Sequence, residues 1–277
     1  MPIRFCPLRS GSSGNVSFLS VGQGASLSVG QGASQSVGIT RILIDAGHAS
    51  RTLESLLNSI GESAANLDGI VISHEHSDHV KGAGTLSQRY GIPIYANEAT
   101  WAAMQDKPGF SGVEARNRRL FTTGMDFFIG DINVQPFRIP HDAADPVGFA
   151  CEYRGKRIVT ATDLGHLASA WTDQLEGADL LLIEANHDPD MLRACAYPSW
   201  LKRRILGNRG HLSNSDCASL LSRLADAGLR HCVLGHMSAE ANTPDLALLS
   251  IKSALPPSVR VDLAYRDRTG GLYELSC

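Results

Sequence analysis

The amino-acid sequence predicts a layered α/β fold. Predicted strands come first and then alternate with predicted helices, and this order occurs twice along the 277 residues. Histidines and aspartates recur at strand ends, namely Asp78/His79, His141, Asp163 and His236. Layered α/β sheets gather side chains from several strand ends into one site. Apolar residues form 43% of the chain, which is enough for a sizeable core.

The individual elements follow from apolar spacing, which alternates in strands and has a 3.6-residue period in helices. We expect strands at 3–8, 41–45, 69–72, 92–95, 131–138, 148–153, 157–162, 180–184, 231–234, 259–265 and 271–275. We expect helices at 50–60, 80–90, 98–104, 189–205 and 243–254, and another one opened by the loop 210–214. Pro93 indicates an edge strand or a first strand position. Asn242 is the expected cap of the last helix.

An octapeptide is repeated near the N-terminus. Residues 19–26 and 27–34 have the same sequence, and a third copy begins at Gln35. An even period preserves strand alternation, so we expect 19–38 to be a tandem duplication in a surface hairpin without chemistry of its own. The Gly/Ser loop at 11–15 fits either a hairpin turn or a nest of backbone N–H groups for an anion, and the turn is favoured.

Composition restricts the class of protein. No apolar run approaches the roughly 20 residues of a membrane helix, and the N-terminus lacks the pattern of a signal peptide. The six cysteines are scattered without a CxxC pair, which indicates reduced, buried thiols and a cytoplasmic location. The net charge of −3 creates no global attraction for nucleic acid, so a polyanion site requires a local basic patch.

The most informative stretch is His74-x-His76-x-Asp78-His79, which follows a predicted strand. His74 and His76 are two residues apart and therefore point to the same side of extended backbone. Asp78 and His79 lie at the turn into the next helix. Imidazole and carboxylate ligands suit Zn²⁺, Mn²⁺ and Fe, so this segment can serve two adjacent metal ions. Capping of the helix by Ser77 or Asp78 is the alternative, but it explains only one of the four residues.

A basic run precedes another histidine loop. Between residues 191 and 215 the sequence has no Asp or Glu, and its cations are Arg193, Lys202, Arg203, Arg204 and Arg209. Cations without a neighbouring counter-charge suit a nucleic-acid backbone, although a solvated helix face would look similar. We therefore take Lys202, Arg203, Arg204 and Arg209 as candidate nucleic-acid-binding residues.

Taken with the later His141, Asp163 and His236, the motif resembles that of the metallo-β-lactamase-fold hydrolases. The resemblance covers nearly the whole chain and implies a single-domain, four-layer αββα sandwich over residues 1–277. It also implies a site for two divalent metal ions, with Zn²⁺ or Mn²⁺ expected and Fe possible. The implied ligands are His74, His76 and His141 for one ion, Asp78, His79 and His236 for the other, and Asp163 as the bridge.

Within this superfamily the sequence is most similar to the short YycJ-type (WalJ-type) DNA exonucleases. The matching segments are 5–15, 43–47, 184–188, 197–198 with 201–205, and 210–214. The resemblance implies that Asp45 supports the motif by hydrogen bonding, that Asp78 and His211 are catalytic, and that His187 supports the ligands without contacting the ions. Two departures are the octapeptide repeat and Ala185, where Ser is expected.

The resemblance implies a binuclear phosphodiesterase that digests DNA from its ends, in the 5′ to 3′ direction, with nucleic acid as its partner and no membrane. The alternative is a metal-dependent hydrolase of a small phosphodiester, ester or thioester. Hydrolases of small esters share the metal motif but do not require the basic run or the loop at 210–214. Oligomeric state is not predicted.

Overall fold

The structure, a computed structural model, describes residues 2–22 and 38–277. Within these residues there are fourteen strands: β1 (Pro2–Arg9), β2 (Val16–Val21), β3 (Thr40–Ile44), β4 (Gly69–Val71), β5 (Ile94–Ala96), β6 (Arg118–Leu120), β7 (Phe127–Ile129), β8 (Ile132–Arg138), β9 (Val147–Tyr153), β10 (Lys156–Ala161), β11 (Leu180–Glu184), β12 (His231–Gly235), β13 (Arg260–Leu263) and β14 (Tyr273–Ser276). The described α-helices are α1 (Ser50–Ser59), α2 (Ser77–Val80), α3 (Ala83–Tyr90), α4 (Glu98–Met104), α5 (Ser169–Thr172), α6 (Pro189–Ala194), α7 (Ser199–Ile205), α8 (Asn214–Asp226) and α9 (Pro244–Lys252).

The strands form two seven-stranded sheets with the same internal pattern. The first has the order β14-β1-β2-β3-β4-β5-β6 and the second β13-β12-β11-β10-β9-β8-β7. In each sheet, three antiparallel pairs in one half are followed by three parallel pairs in the other. The sequence predicts this doubled arrangement. Antiparallel neighbours need only turns and therefore appear as successive strands, whereas parallel neighbours need helical crossovers and therefore appear as strands that alternate with helices.

Alternating side chains build four layers. In β2, Leu19 faces the core between the two sheets and Phe18 faces the outer helices. In β12, Val233 faces the same central core while Leu234 faces the opposite helix layer. Helices α1, α3 and α4 cover the first sheet, and α5, α8 and α9 cover the second. The predicted αββα sandwich in a single domain is therefore confirmed.

Two predicted helices are interrupted. The helix predicted at 80–90 is wrong in its start, since α2 ends at Val80 and α3 begins at Ala83. The N–H of Gly82 donates to the carbonyl of Ala46 (2.9 Å), and the carbonyl of Asp78 accepts from Asn15 N (2.7 Å), so the turn serves neighbouring loops instead of a continuous helix.

The helix predicted at 189–205 is also two helices. Pro198 is the residue before α7, and proline lacks the N–H and disfavours a helical conformation in the residue that precedes it. The cap of α9 is Thr243, whose hydroxyl accepts from Leu246 N (3.2 Å), and not Asn242. Asn242 instead pairs with the side chain of Asn214 in the interior.

The remaining expectations concern Pro93, the repeat, the cysteines and membrane-spanning segments. Pro93 immediately precedes β5, which is an internal strand, so of its two interpretations the edge strand is wrong and a position at the start of the strand agrees with the structure. Of the predicted repeat at 19–38, residues 23–37 lie outside the described residues, and the flanking strands β2 and β3 pair antiparallel. All six cysteines are free, but Cys277 is exposed and Cys195 is only partly buried. Along the described chain, every helix is too short or too polar to span a lipid bilayer.

Candidate metal centre

The predicted metal ligands converge in one place. Among the described residues, four overlapping groups of His and Asp offer ligand atoms that lie within 4.8 Å of one another. The groups are His74, His76 and His141; His74, His79 and Asp163; Asp78, His79 and His236; and Asp163, His211 and His236. We call the first the three-histidine group and the third the aspartate-containing group. Both coincide with a ligand set that the resemblance implies.

Asp45 at the end of β3 fixes the segment after β4. Its Oδ1 accepts from Ser73 N (2.8 Å), and its Oδ2 accepts from Ser73 Oγ (2.8 Å) and from His79 Nδ1 (2.7 Å). Ser73 Oγ is also 3.0 Å from His74 Nδ1. A single buried carboxylate therefore orients two ring systems of the motif, which is the supporting position expected for Asp45.

Each of four histidines has its Nδ1 atom next to an acceptor. His74 pairs with Ser73 Oγ, His79 with Asp45, His141 with Gly210 O (3.2 Å) and His236 with Glu184 Oε1 (2.8 Å). These contacts indicate a proton on Nδ1 and direct the Nε2 lone pair into the cluster; Nε2 has no partner among the described residues in His74, His141 and His236, whereas in His79 it faces the Asn15 amide. The four rings thus present the same kind of ligand atom to the centre of the cluster.

Several polar atoms at this centre are buried without a hydrogen-bond partner in the described chain. They are Nε2 of His74, His141 and His236, and Oδ2 of Asp163. Buried polar atoms are nearly always paired, and an imidazole lone pair or a carboxylate oxygen is a suitable ligand for a divalent cation. The donor set and its unpaired atoms therefore fit the divalent metals that the resemblance implies.

Asp163 lies between the two groups. Its Oδ2 is 3.2 Å from His79 Nε2, and its Oδ1 is 3.5 Å from the Nε2 atoms of both His141 and His236. The carboxylate is almost fully buried. It can therefore contact ions on both sides, which is the placement that a bridging ligand needs.

The backbone at three strand ends is strained where it serves this site. Asp45, Asp163 and His236 follow β3, β10 and β12 and have φ values of 60°, 62° and 53°. The left-handed region costs a non-glycine residue of order 1–3 kcal/mol. This left-handed conformation turns each side chain out of its strand and toward the cluster.

Burial and charge act in opposite directions on the pKa values of His79 and His236 but in the same direction on that of His74. Burial alone would lower the pKa of His79, but the carboxylates of Asp45 and Asp163 raise it well above its usual value. Burial likewise opposes the carboxylate neighbours that raise the pKa of His236 to about 10. For His74, burial and the charge of His79 together lower the pKa well below the usual value.

Comparisons with known proteins agree with this geometry. A family model described as beta-lactamase superfamily domain matches residues 40–237. The chain belongs to this family. It is therefore a metal-dependent hydrolase with the metallo-β-lactamase fold, as the sequence predicts, and the fold implies divalent-metal binding.

Two relatives and one solved structure are especially similar. Exodeoxyribonuclease WalJ of Streptococcus pneumoniae is 36% identical over 252 residues, or 91% of this chain and 88% of that protein. Exodeoxyribonuclease YycJ of Bacillus anthracis is 32% identical over 255 residues, or 92% and 90% of the two chains. The metallo-β-lactamase fold protein YhfI from Bacillus subtilis superposes with a TM-score of 0.71 at 17% identity, over 99% of this chain and 100% of its own. The predicted similarity to the YycJ/WalJ-type proteins is confirmed.

Glu184 is a site residue of this metallo-β-lactamase-fold chain that sequence reasoning missed. Its fully buried Oε1 accepts from His211 Nδ1 and His236 Nδ1, both at 2.8 Å, and its Oε2 accepts from the N–H groups of Leu164 (2.6 Å) and Leu212 (3.2 Å). Burial alone would raise the pKa of Glu184, but the two imidazoles lower it to about 2. The available signal was an acidic residue ending an otherwise apolar strand.

Asn15 is the second missed residue. Its Nδ2 lies 3.1 Å from His79 Nε2 and 3.4 Å from Asp78 Oδ2. Its Oδ1 accepts from Gly11 N (2.9 Å), which closes the loop at 11–15 as a turn. The favoured turn interpretation therefore agrees with the structure, and the turn places one amide beside the metal centre.

The other candidate histidines differ in position. His211 joins Asp163 and His236 in one of the four groups, and its side chain is 11% exposed. His187 belongs to none of the groups formed by the described residues. It is almost fully buried, both its ring nitrogens lack hydrogen-bond partners there, and burial lowers its pKa.

The basic run is only partly free of counter-charge. Arg204 makes a two-atom contact with Asp142, with Nε–Oδ2 at 2.6 Å and Nη2–Oδ1 at 2.8 Å, and Arg193 pairs with Asp190. The expectation of unpaired cations is therefore wrong for these two, because their acidic partners lie outside the run. Lys202 Nζ donates to the carbonyl of Arg193 (2.7 Å).

Two cations of the run remain available. Arg203 and Arg209 are exposed, and neither takes part in an ion pair within the described part of the chain. Arg209 lines a cavity of about 780 Å³ together with His141 and Arg138. The run thus borders the metal centre at His141, whose Nδ1 is also 3.2 Å from the carbonyl of Gly210, the residue after Arg209.

Proposed function

We propose that this protein is a two-metal phosphodiesterase that digests DNA from its ends, in the 5′ to 3′ direction. The observation that carries the proposal is the convergence of unpaired, buried ligand atoms in two groups separated by Asp163. The names of the two bacterial relatives, both exodeoxyribonucleases, favour DNA as the substrate.

The three-histidine group and the aspartate-containing group would each hold one divalent ion, Zn²⁺ or Mn²⁺, with Fe as a further option, and Asp163 would contact both. Bound together, two such ions lower the pKa of water and clamp a phosphate during in-line attack. The remaining chemistry belongs to side chains around the ions.

His211 is suited to move a proton. Its Nδ1 donates to Glu184, which leaves Nε2 for the substrate, and its ring lies beside His236 at the edge of the cluster. In this proposal His211 Nε2 donates to the scissile phosphate or to the leaving oxygen. Glu184 holds the ring in place through its hydrogen bond to Nδ1.

Asp78 is the other proposed catalytic group. Its side chain is 23% exposed, and its Oδ2 lies 3.7 Å from His236 Nε2. A partly exposed carboxylate at this position can accept a hydrogen bond from an attacking water while it also serves as a ligand. Asp45 and His187 are proposed to support the ligand residues without contacting the ions.

Residues 202–209 border the metal centre, and we call this border the rim. Its positive charge suits a polyanionic substrate. Arg203 and Arg209 are proposed to contact phosphates that flank the scissile bond, whereas Arg204 is shared with Asp142 and Lys202 with a backbone carbonyl. Contacts of this kind position a nucleic-acid backbone irrespective of its base sequence.

The substrate assignment is tested with the metal-loaded protein and labelled nucleic acids. Duplex and single-stranded DNA and RNA, each labelled at the 5′ or the 3′ end, are compared with a small chromogenic phosphodiester. The proposal expects stepwise shortening of DNA and early release of the 5′ label as mononucleotide. Much better hydrolysis of the small diester, or of an ester or thioester, would favour the alternative function.

The role of the rim is tested by replacing Arg203 and Arg209 with glutamine together. DNA affinity should fall, and the log–log dependence of binding on salt should flatten by about 0.9 per lost phosphate contact on duplex DNA. Hydrolysis of the small diester should survive. The matched control replaces two exposed arginines away from the metal centre, Arg119 on the edge strand β6 and Arg154 in the turn between β9 and β10, which should leave DNA binding unchanged. Equal loss of both substrates would mean that the rim is structural.

A further inference from the structure

Helix α7 is held against the rim of the metal centre at both ends. Before the helix, Tyr197 Oη lies 3.1 Å from Ser238 Oγ, two residues after His236. In its last turn, Arg204 binds Asp142, whose Oδ1 is 3.3 Å from His141 Nε2. The helix therefore connects the segment after His236, in the aspartate-containing group, with the carboxylate next to His141, in the three-histidine group.

Trp200 is the exposed aromatic side chain of this helix. It is 62% exposed, and within the described chain it makes no hydrogen bond or ring contact. The other tryptophans behave differently: Trp101 and Trp171 are 7% and 2% exposed, and each donates its indole N–H to a backbone carbonyl. Tryptophan usually buries its ring, so an indole left open at the edge of a site indicates a surface that meets a ligand.

The helix places Trp200 on the same face as its cations. Residues three and four apart lie side by side on a helix, about 5–6 Å between Cβ atoms. Trp200 is thus adjacent to Arg203 and Arg204, and all three are exposed. On the opposite face, Leu201 and Ile205 pack into a small core with Leu192. The face with the indole is therefore the solvent side of α7, one turn from the arginine that reaches the metal centre.

An aromatic ring among arginines favours one kind of occupant. A nucleic-acid strand offers phosphates for the cations and flat bases for the ring, and stacking tolerates any base because every base has a π face. A protein partner would instead need acidic and apolar side chains next to each other along the narrow exposed face of α7. The indole of Trp200 beside the exposed guanidinium of Arg203 therefore matches a single DNA strand that lies along α7.

We propose that Trp200 stacks on an unpaired base of the bound DNA strand, a few nucleotides from the scissile phosphate. This site deepens the proposed nuclease function and rests on it. Trp200 is a positioning residue: it fixes where the strand lies on α7 and so which phosphate reaches the metal centre.

The experiment is an abasic scan with the metal-loaded protein. Single-stranded oligonucleotides carry one abasic nucleotide at successive positions from the 5′ end, and kcat/KM is measured for the wild type and for Trp200→Ala. With intact DNA, Trp200→Ala should lower kcat/KM about 5- to 100-fold. In the wild type, one abasic position should cause a similar loss, and that position should cause no further loss in Trp200→Ala.

Three variants separate stacking from structure. Trp200→Phe keeps a π face and should retain most of the wild-type value, whereas Trp200→Leu is apolar without one and should resemble Trp200→Ala. Phe128→Ala is the matched control, because Phe128 is 65% exposed on β7, away from α7, and should behave as the wild type. Tryptophan fluorescence provides a second readout: a cleavage-resistant phosphorothioate strand should quench the wild type and leave Trp200→Phe unquenched.

The outcomes are distinct. A wild-type protein that digests no nucleic acid would overturn the proposed function and this site with it. Normal digestion with unchanged kcat/KM in Trp200→Ala, or additive losses at every abasic position, would overturn the stacking site alone. A shift of Trp200→Ala to a smaller oligomer in sedimentation, with normal digestion, would instead assign the indole to a contact between copies of the chain.

Discussion

The two groups of the metal centre have similar ligand atoms but different support. In the aspartate-containing group, His79 and His236 are backed by the buried carboxylates of Asp45 and Glu184. In the three-histidine group, His74 is backed by a serine hydroxyl and His141 by a backbone carbonyl, both neutral acceptors. Carboxylate backing raises ligand basicity, and Asp78 adds a charge of its own. We therefore expect the ion on the aspartate-containing group to be held more tightly.

Opposite pKa shifts express the same difference. Neighbouring carboxylates overcome burial and raise the pKa values of His79 and His236. In the three-histidine group, burial dominates and lowers the pKa values of His74 and His141. Carboxylates thus dominate the surroundings of His79 and His236, burial dominates those of His74 and His141, and Asp163 contacts both halves. Variants that remove the shared residue, or the support on one side, measure how far the two halves depend on each other.

The largest effect is expected from Asp163→Ala. Loss of the shared carboxylate should reduce the metal content from close to two ions per chain to about one. Phosphodiesterase activity should fall by about 10³-fold, as expected when electrostatic stabilisation of the reaction is lost. Elemental analysis and rate measurement on the same preparation check both expectations. Asp163→Asn repeats the test without a change of shape, and Asp126→Ala, at an exposed carboxylate before β7 and outside the four groups, should retain both ions.

His211→Ala should separate chemistry from metal binding. Because His211 is proposed to transfer a proton, kcat should fall by about 10²–10⁴-fold, while the metal content stays close to two ions per chain. The small chromogenic diester provides the measurement, since it does not depend on contacts along the rim. Loss of an ion in this variant would instead make His211 a ligand, which its grouping with Asp163 and His236 also allows.

Removal of the carboxylate supports should weaken one half selectively. Asp45→Asn and Glu184→Gln should each reduce the affinity for the more tightly held ion by about 10- to 100-fold. Ser73→Ala removes a neutral partner of His74 and should have a smaller effect on metal binding. Competition with a fluorescent chelator measures these affinities. Similar losses in all three variants would contradict the proposed difference between the two groups.

The smallest effect is expected from deletion of residues 27–34, one copy of the octapeptide. Eight is an even number, so strand faces keep their register, and neither group of the metal centre involves these residues. The free energy of unfolding should change by less than about 0.5 kcal/mol, and metal content should be unchanged. Thermal unfolding provides the measurement; failure to fold would assign the repeat a structural role.

Local spacing made half of the site predictable from the sequence. His74 to His79 lie within six residues, so their mutual arrangement follows from strand and turn geometry. The doubled order of strands and helices also follows from apolar periodicity alone. His141, Asp163 and His236 could be recognised only as polar residues after strands, and their assembly around one point depended on family resemblance.

The remaining features depend on contacts between distant parts of the chain. Glu184 reaches His211 and His236, which are 27 and 52 residues away, and Arg204 reaches Asp142 across 62 residues. Periodicity contains no information about such pairs, so Glu184 was missed and Arg204 was expected to be unpaired. Left-handed backbone at Asp45 and Asp163 was equally hidden, since sequence statistics favour glycine there.

The most direct test of the two-metal proposal is a titration of metal-free protein with Mn²⁺, in which bound ions per chain and the rate of DNA digestion are measured on the same samples. The proposal predicts little activity at one equivalent, although that equivalent is bound tightly, and a rise to full activity as the second equivalent binds. Full activity with one ion per chain, or with none retained after gel filtration, would contradict it.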